Sequence, residues 1–433
     1  MKNYKLLVPI LLVVMFFGSI YTLYDLKATE QRKYDTNLAA ARDNRTKGIR
    51  IDAEEYYMQA LNQKPSLDLH VEIGEFYWET NQVREATDWG HTIIKTYPKE
   101  AKGYEFLMGI YDKREDYIAC FEIADTMNKL KVNSAVTDEV ISRIEYYFYF
   151  NGTYHGAEIF SGGLCPIMVD NKWGYVDQTG ERVIDVLYTY AGPFIEGLAP
   201  VTDEEGNSYY IDVEGNKKHV VLGVDHIEQL GLIESGMFSL FDGNKWHFYN
   251  TEHQKVFGDF DEVSAIGNGV AAVKSNGVWK LVDRSGADLT GKTYADVAMD
   301  GKKVVFRYDR LFVSDGNGYK MINESGAEIG NATYEDAHIF NDATYAAVKI
   351  AGAWGFVDQN GNVVIKPQYE DARSFANGMA AVKKNGLWGF INTEGEMVIA
   401  PQFEGACDFN SDGCVFVGVD GEWSLLRLYK TNH

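Results

Sequence analysis

The sequence predicts a multidomain chain, α first and all-β after it: an amino-terminal transmembrane helix, a stack of α-hairpins, then tandem β-hairpin repeats. Three observations carry this. Leu6 to Tyr24 is an uncharged, mostly apolar run. From Tyr34 to about Phe150 apolar residues recur at helical spacing. Beyond Asn151 short alternating runs are separated by Gly, Asn and Asp and repeat at a fixed period. The boundaries expected are 1–25, 34–150 and 157–433.

Bulk properties agree with that division. A chain of 433 residues exceeds a single domain of ~150 residues. With 45% hydrophobic and 24% charged residues it holds enough apolar material for real cores. Aromatics at 14%, with 42 Gly and only 8 Pro, favour short strands joined by glycine turns. The net charge of −22, from 41 basic and 63 acidic residues, would repel a phosphate backbone, so no nucleic-acid partner is expected. Cys120, Cys165, Cys407 and Cys414 show no CxxC spacing, which argues against a disulfide framework or a zinc site. Cys407 and Cys414 could meet across a turn, but small buried core residues is the favoured reading.

The anchor comes first. Lys2 and Lys5 precede the run from Leu6 to Tyr24, whose 19 residues would rise about 28 Å as a helix, close to a hydrocarbon core. Gly18-Ser19-Ile20-Tyr21 offers no small-x-small cleavage site, so an uncleaved single-pass anchor is expected, with secretion after cleavage as the alternative. Lys2 and Lys5 compete with Lys27, Arg32 and Lys33 in setting orientation, and the reading places the bulk of the chain outside the cell.

The helical segment has its own period. Pro65 and Pro98 lie 33 residues apart, each just after a helical pattern, where proline cannot continue the hydrogen-bond ladder. Ala53, Tyr57 and Ala60 precede the first; Ile73, Gly74, Tyr77 and Ala86 precede the second; Tyr104, Leu107, Tyr111 and Ala119 make a weaker third copy. This resembles the tetratricopeptide repeat, a 34-residue helix–turn–helix, over about 100 residues. It departs from that pattern at Gly90, where a large aromatic is usual. The resemblance implies a protein-binding groove; the alternative is a stalk that holds the β region off the membrane. Ser134 to Phe150, with Val136, Val140, Ile141, Ile144 and Phe148, is expected to be a capping helix.

The β region tiles on one residue. Trp173, Ser208, Trp246, Trp279, Tyr319, Trp354, Trp388 and Trp423 are separated by 35, 38, 33, 40, 35, 34 and 35 residues, giving eight copies. Seven residues after the anchor comes Gly180, Gly215, Gly286, Gly326, Gly361 or Gly395, and eight further on Tyr188, Tyr294, Tyr334, Tyr369 or Phe403. Ala346-Ala347-Val348-Lys349 with Trp354-Gly355-Phe356-Val357, and Ala380-Ala381-Val382-Lys383 with Trp388-Gly389-Phe390-Ile391, are the cleanest copies. They resemble the WG repeat family of bacterial tandem repeats, over roughly 270 residues. That resemblance implies architecture more than activity.

Each repeat reads as a hairpin. Asn385-Gly386 is a strong hairpin turn because both residues accept positive φ. The indoles of Trp173, Trp246, Trp279, Trp354, Trp388 and Trp423 fix each unit against its neighbour, and Ser208 and Tyr319 mark soft points. The expected closure is a propeller-like toroid, with an open β superhelix as the alternative. The last copy stops near Leu428, as though it completes a blade begun near Glu158 to Leu164.

No chemistry stands out. Asp177, Asp212, Asp283, Asn323, Asp358 and Asn392 recur at one register, but a calcium loop needs several alternating oxygens, and turn capping accounts for one per repeat. Asp261-Glu262, Glu335-Asp336 and Glu370-Asp371 read as an acidic, solvated rim, since hydrolytic carboxylates arise at one site and not in every repeat. His247 and His253 belong to no metal motif, and Gly316-Asn317-Gly318 is a loop and not a phosphate cradle. No catalytic residue, metal or cofactor is therefore expected. The function expected is a membrane-anchored extracytoplasmic binding or scaffolding protein for a protein or cell-wall polysaccharide, not an enzyme; the alternative is a propeller-borne carbohydrate-active hydrolase or lyase.

Overall fold

The computed structural model describes residues 4–218 and 227–430, and in its first helix the side chains of Phe16 and of residue 25 onward. Two compact units divide the chain, Met1–Glu145 and Tyr146–His433.

In the first unit helix α1 runs Tyr4–Thr46, α2 Arg50–Gln63, α3 Leu67–Glu79, α4 Val83–Thr96, α5 Ala101–Lys113, α6 Tyr117–Leu130 and α7 Ala135–Ile144. The run Leu6 to Tyr24 falls in α1, but apart from Phe16 its side chains lie outside the described residues. Among the described residues no helix is long and apolar enough to cross a membrane. Local chemistry sets the helix starts: Ser66, Asp116 and Ser134 accept from Leu69, Ala119 and Val136 N–H groups at 3.3, 3.3 and 3.2 Å, satisfying donors the first turn leaves orphaned. Helices α3 and α5 begin 34 residues apart, as do α4 and α6, and α5 and α7.

Small residues let these helices approach. A methyl added at Gly74 would lie 2.6 Å from the Phe106 ring, and one at Gly90 would lie 2.8 Å from Leu107 Cδ1. The absence of an aromatic at position 90 thus has a packing reason: Leu107, fully buried, fills that space. Val140, Ile141 and Ile144 pack with Tyr104, Leu107 and Cys120, covering the α5–α6 layer. The expected capping helix is shorter than Ser134 to Phe150, however, and Phe148 to Phe150 are strand.

The second unit is an eight-bladed β-propeller built from eight antiparallel sheets among the described residues. Blade 1 pairs Gly156–Ala157, Leu164–Val169, Lys172–Asp177 and Arg182–Tyr188 in that order. Blade 2 starts at Tyr190–Ala191, blade 3 at Gln229–Glu234, blade 4 at Glu262–Val263, blade 5 at Asp296–Val297 and blade 6 at Asp336–Ala337. Blade 7 pairs Asp371–Ala372, Met379–Lys384, Leu387–Asn392 and Met397–Phe403. Blades 4 and 5 have three strands, with isolated bridges such as Trp279 to Tyr294 and Tyr319 to Tyr334 where a fourth would run.

Blade 8 closes the ring. Gly405–Ala406, Cys414–Val419 and Glu422–Leu428 receive their fourth strand from Phe148–Tyr154, 271 residues away at the contact of Thr153 with Ser424. The missing strand is therefore Phe148–Tyr154 and not a segment near Glu158 to Leu164, and it decides for a closed toroid over an open superhelix, which would leave Glu422–Leu428 as an unpaired edge.

Candidate functional site

The repeated residues are placed by packing. Anchors face the late aromatic of their own copy across neighbouring strands, as Trp173 does Tyr188, Trp354 does Tyr369 and Trp388 does Phe403. Trp246 faces Phe260, and Trp423 faces Tyr154 on the closing strand. Trp279 and Trp354 are buried, and the other indoles half-buried.

The glycine after the indole answers to the fourth strand. A methyl at Gly355 would lie 2.6 Å from the Ile365 carbonyl oxygen, and one at Gly389 2.5 Å from that of Ile399. Both fourth strands bulge at this point, which brings their backbone onto the glycine. Blade 3 carries His247 there, and its partner strand supplies Gly258 directly opposite, where a methyl would lie 2.5 Å from His247 Nδ1. Blade 4, which lacks a fourth strand, carries Lys280.

Gly180, Gly215, Gly286, Gly326, Gly361 and Gly395 all sit at φ between +78° and +83°, each donating to the carbonyl of the Asp or Asn three residues earlier. The Oδ1 of Asp177, Asp212, Asp283, Asn323, Asp358 and Asn392 in turn accepts from the amide four residues on. These side-chain oxygens serve the turns. The acidic pairs are more than a solvated rim: Glu370 accepts from Asn385 and Gly386 N–H at 2.8 and 2.9 Å, capping the turn of its own blade. Glu335 does the same for Gly352, and Asp261 for Asn276. Sequence reasoning missed this because the carboxylate and the turn lie about one hairpin apart.

All four cysteines are free and buried, and burial pushes the Cys407 thiol up to about 12 and Cys414 up to about 11. His247 Nε2 lies 2.8 Å from Asp242 Oδ2. Among the described residues no group of three or more His, Cys, Asp or Glu is placed to hold a metal.

Residues that differ from blade to blade meet instead at the axis. Just after the short first strands come Glu158, His338, Arg373 and the pair Cys407-Asp408. In blade 5 this connection is long, residues 298–310, where blade 7 uses residues 373–378. The long loop reaches across the ring: the Ala265 N–H of blade 4 donates to the Lys303 carbonyl at 2.8 Å, and a methyl at Gly301 would lie 3.6 Å from Ile159 Cδ1 of blade 1. The 40-residue gap between Trp279 and Tyr319 was the sequence signal for this loop.

A cavity of about 300 Å³ lies between this loop and blades 6 to 8, lined among others by Asp300, His338, Asn341, Arg373 and Asp408. Asp300 accepts from Lys302 N–H and Val304 N–H at Oδ1 and from Arg307 Nη2 at Oδ2, at 2.9, 2.8 and 2.8 Å. Arg373 Nε donates to the Ala406 carbonyl at 3.0 Å and lies 3.6 Å from Asp408 Oδ1, an ion pair without a hydrogen bond. Asn341 Nδ2 donates to Asp408 Oδ2 at 3.1 Å. His338 stacks on Trp354, ring centroids 4.8 Å apart.

Charges respond to this enclosure. Burial raises the Asp408 carboxyl, opposed by Arg373, whose own guanidinium Asp408 holds above its usual value. Burial, then Arg373, lowers His338 and favours neutral imidazole; burial raises Glu158 and lowers Lys302.

A second concavity lies in the helical unit. About 640 Å³ is bounded by Arg45 of α1, Asp68, Glu72 and Glu75 of α3, and Lys102 and Phe106 of α5. Ion pairs span it: Arg42 meets Glu72 in a bidentate contact at 2.7 Å, and Lys102 meets Asp68 at 2.6 Å.

These features define the class: a helical array followed by a repeat-built propeller. The family model for the WG containing repeat matches residues 173–205, 248–279, 354–388 and 388–423, so WG repeats occupy four stretches that together make up less than half of the chain. No curated protein sequence matches. Among solved structures the chain is similar to the computationally designed Ika8 protein at 8% identity, over 65% of this chain and 98% of that one, with a TM-score of 0.44. BamB from Moraxella catarrhalis follows at 12% identity, over 65% and 99%, with a TM-score of 0.40. The WD40 beta propeller domain of Doa1 is similar at 11% identity, over 65% and 97%, with a TM-score of 0.35.

Proposed function

We propose that the chain is a membrane-anchored, extracytoplasmic binding or scaffolding protein, not an enzyme, whose helical unit takes a protein partner and whose propeller offers repeat surfaces to that partner or to a cell-wall glycan. The observation that carries this is the concavity across α1, α3 and α5, lined by helices that recur at the 34-residue interval of tetratricopeptide-like stacks. The propeller supports the same reading, because its repeated acidic and aromatic residues are consumed by turns and by blade packing. Glycoside hydrolysis of the usual kind needs a pair of carboxylates free to exchange protons. In the axial cavity Asp300 pairs with Arg307 and Asp408 with Arg373, cations that favour the ionised carboxylates over a proton-donating acid, which supports binding over hydrolysis.

Glu75 lines the concavity, is exposed on α3, and makes no side-chain hydrogen bond or ion pair among the described residues. Glu75→Lys is expected to lower recovery of a cross-linked partner from native membranes by about tenfold, the worth of one reversed contact of ~1.4 kcal/mol, with helicity unchanged. Recovery equal to that of the unaltered chain would remove the concavity from the reading. The anchor rests on the run Leu6 to Tyr24. Protease added to intact cells is expected to remove the β unit, and survival of that unit beneath an intact membrane would reverse the orientation.

A further inference from the structure

We propose that the axial cavity between blades 5 and 8 binds a small organic carboxylate whose neighbouring carbon bears a hydroxyl or ammonium group, with the carboxylate on Arg373 and the neighbouring group on Asn341 and Asp408. This site is independent of the helical concavity and of the partner it takes.

The first argument is the unspent capacity of Arg373. Its Nε is fixed on the Ala406 carbonyl at 3.0 Å, which orients the guanidinium, while Nη1 and Nη2 have no hydrogen-bond partner among the described residues. Asp408 stands closest, but at 3.6 Å from Nε it leaves both terminal nitrogens open. Two parallel N–H donors on a planar, permanently charged group match a carboxylate in a bidentate contact.

The second argument concerns what lies beside it. Asn341 spends its Nδ2 on Asp408 Oδ2 at 3.1 Å and on the Ser374 carbonyl at 3.4 Å, so its Oδ1 remains an acceptor without a donor. Asp408 Oδ2 receives that one bond and has a lone pair to spare. Acceptors adjacent to a guanidinium call for a ligand that carries a hydrogen-bond donor next to its carboxylate, as α-hydroxy acids, α-amino acids and aldonates do.

Charge and size narrow the choice further. A phosphate dianion would enter a chamber already lined by the carboxylates of Asp300 and Asp408, and at short range in a partly desolvated site the second negative charge is costly. A single carboxylate carries half that charge. The volume of about 300 Å³ sits at the lower end of the range for ligand sites and suits a molecule no larger than a monosaccharide acid.

Saturation-transfer NMR and calorimetry on the full chain, with L-lactate, L-alanine, D-gluconate, acetate, glucose and inorganic phosphate as probes, test the site. At least one of lactate, alanine and gluconate is expected to bind about tenfold more tightly than acetate, the worth of one added charge-assisted hydrogen bond, while glucose and phosphate give no saturable signal. Arg373→Lys is expected to weaken that ligand by about tenfold or more through loss of the bidentate contact. Should that variant fail to fold, Asn341→Ala carries the test: it is expected to bring the favoured ligand down to the affinity of acetate and leave acetate itself unchanged. Failure of every carboxylate to bind the unaltered chain, a preference for phosphate or glucose, or an Asn341→Ala variant that keeps full discrimination would overturn the proposal. A null result with Glu75→Lys bears on the helical concavity alone, so the two readings fail separately.

Discussion

Gly389→Ala is expected to destabilise the propeller by about 3 kcal/mol, the upper end of the usual cost of overpacking, because the obstacle is backbone. The added methyl would stand 2.5 Å from the Ile399 carbonyl oxygen and 2.7 Å from Pro401 N, and neither can rotate away as a side chain would. Relief requires Met397–Phe403 to leave its ladder with Leu387–Asn392. A control separates this from the general cost of replacing glycine. Gly386 sits at φ +80° in the hairpin turn with nothing within 4 Å of an added methyl, so Gly386→Ala is expected to cost only the left-handed strain, about 1–2 kcal/mol. Urea midpoints of the two variants should rank accordingly. An alanine at 389 that proves no worse than one at 386 would show that the fourth strand yields, and the account of the indole-glycine pair would fail with it.

The same comparison shows what the sequence could reveal. The period, the hairpin turn at Asn385-Gly386 and the turn glycines such as Gly361 and Gly395 are local: each is a residue type demanded by a backbone angle within a few positions. Eight anchors were countable and eight blades resulted, including those at Ser208 and Tyr319 where the indole is lost. The closing strand was hidden for two reasons. Phe148 continues the helical series of Val140, Ile141 and Ile144, and its strand partner Leu428 lies at the far end of the chain. The axial residues were hidden for another. Reading repeats means averaging over copies, and His338, Arg373 and Asp408 are where the copies disagree. A search for the positions that break the repeat, guided by the long gap before Tyr319, would have found them.

The hidden strand also bears the second large effect. Tyr154→Ala is expected to cost about 3–5 kcal/mol, the range for truncating a buried aromatic. Tyr154 faces Trp423 across the closing ladder, its ring lies 5.7 Å from that of Phe416, and its hydroxyl donates to the Gly180 carbonyl of blade 1 at 3.2 Å. Tyr188, its counterpart in blade 1, is joined to its anchor strand by a short connection, whereas Tyr154 and its anchor Trp423 come from opposite ends of the unit, so its loss acts on the closure itself. Opening there would expose Glu422–Leu428 as an unpaired edge. Hydrogen exchange distinguishes such opening from uniform weakening: in Tyr154→Ala the amides of Phe148–Tyr154 and Glu422–Leu428 should exchange together and ahead of Ala346–Ile350 in blade 6. If all blades lose protection in step, closure is no weaker than any other blade contact, and the ring unfolds as one cooperative unit.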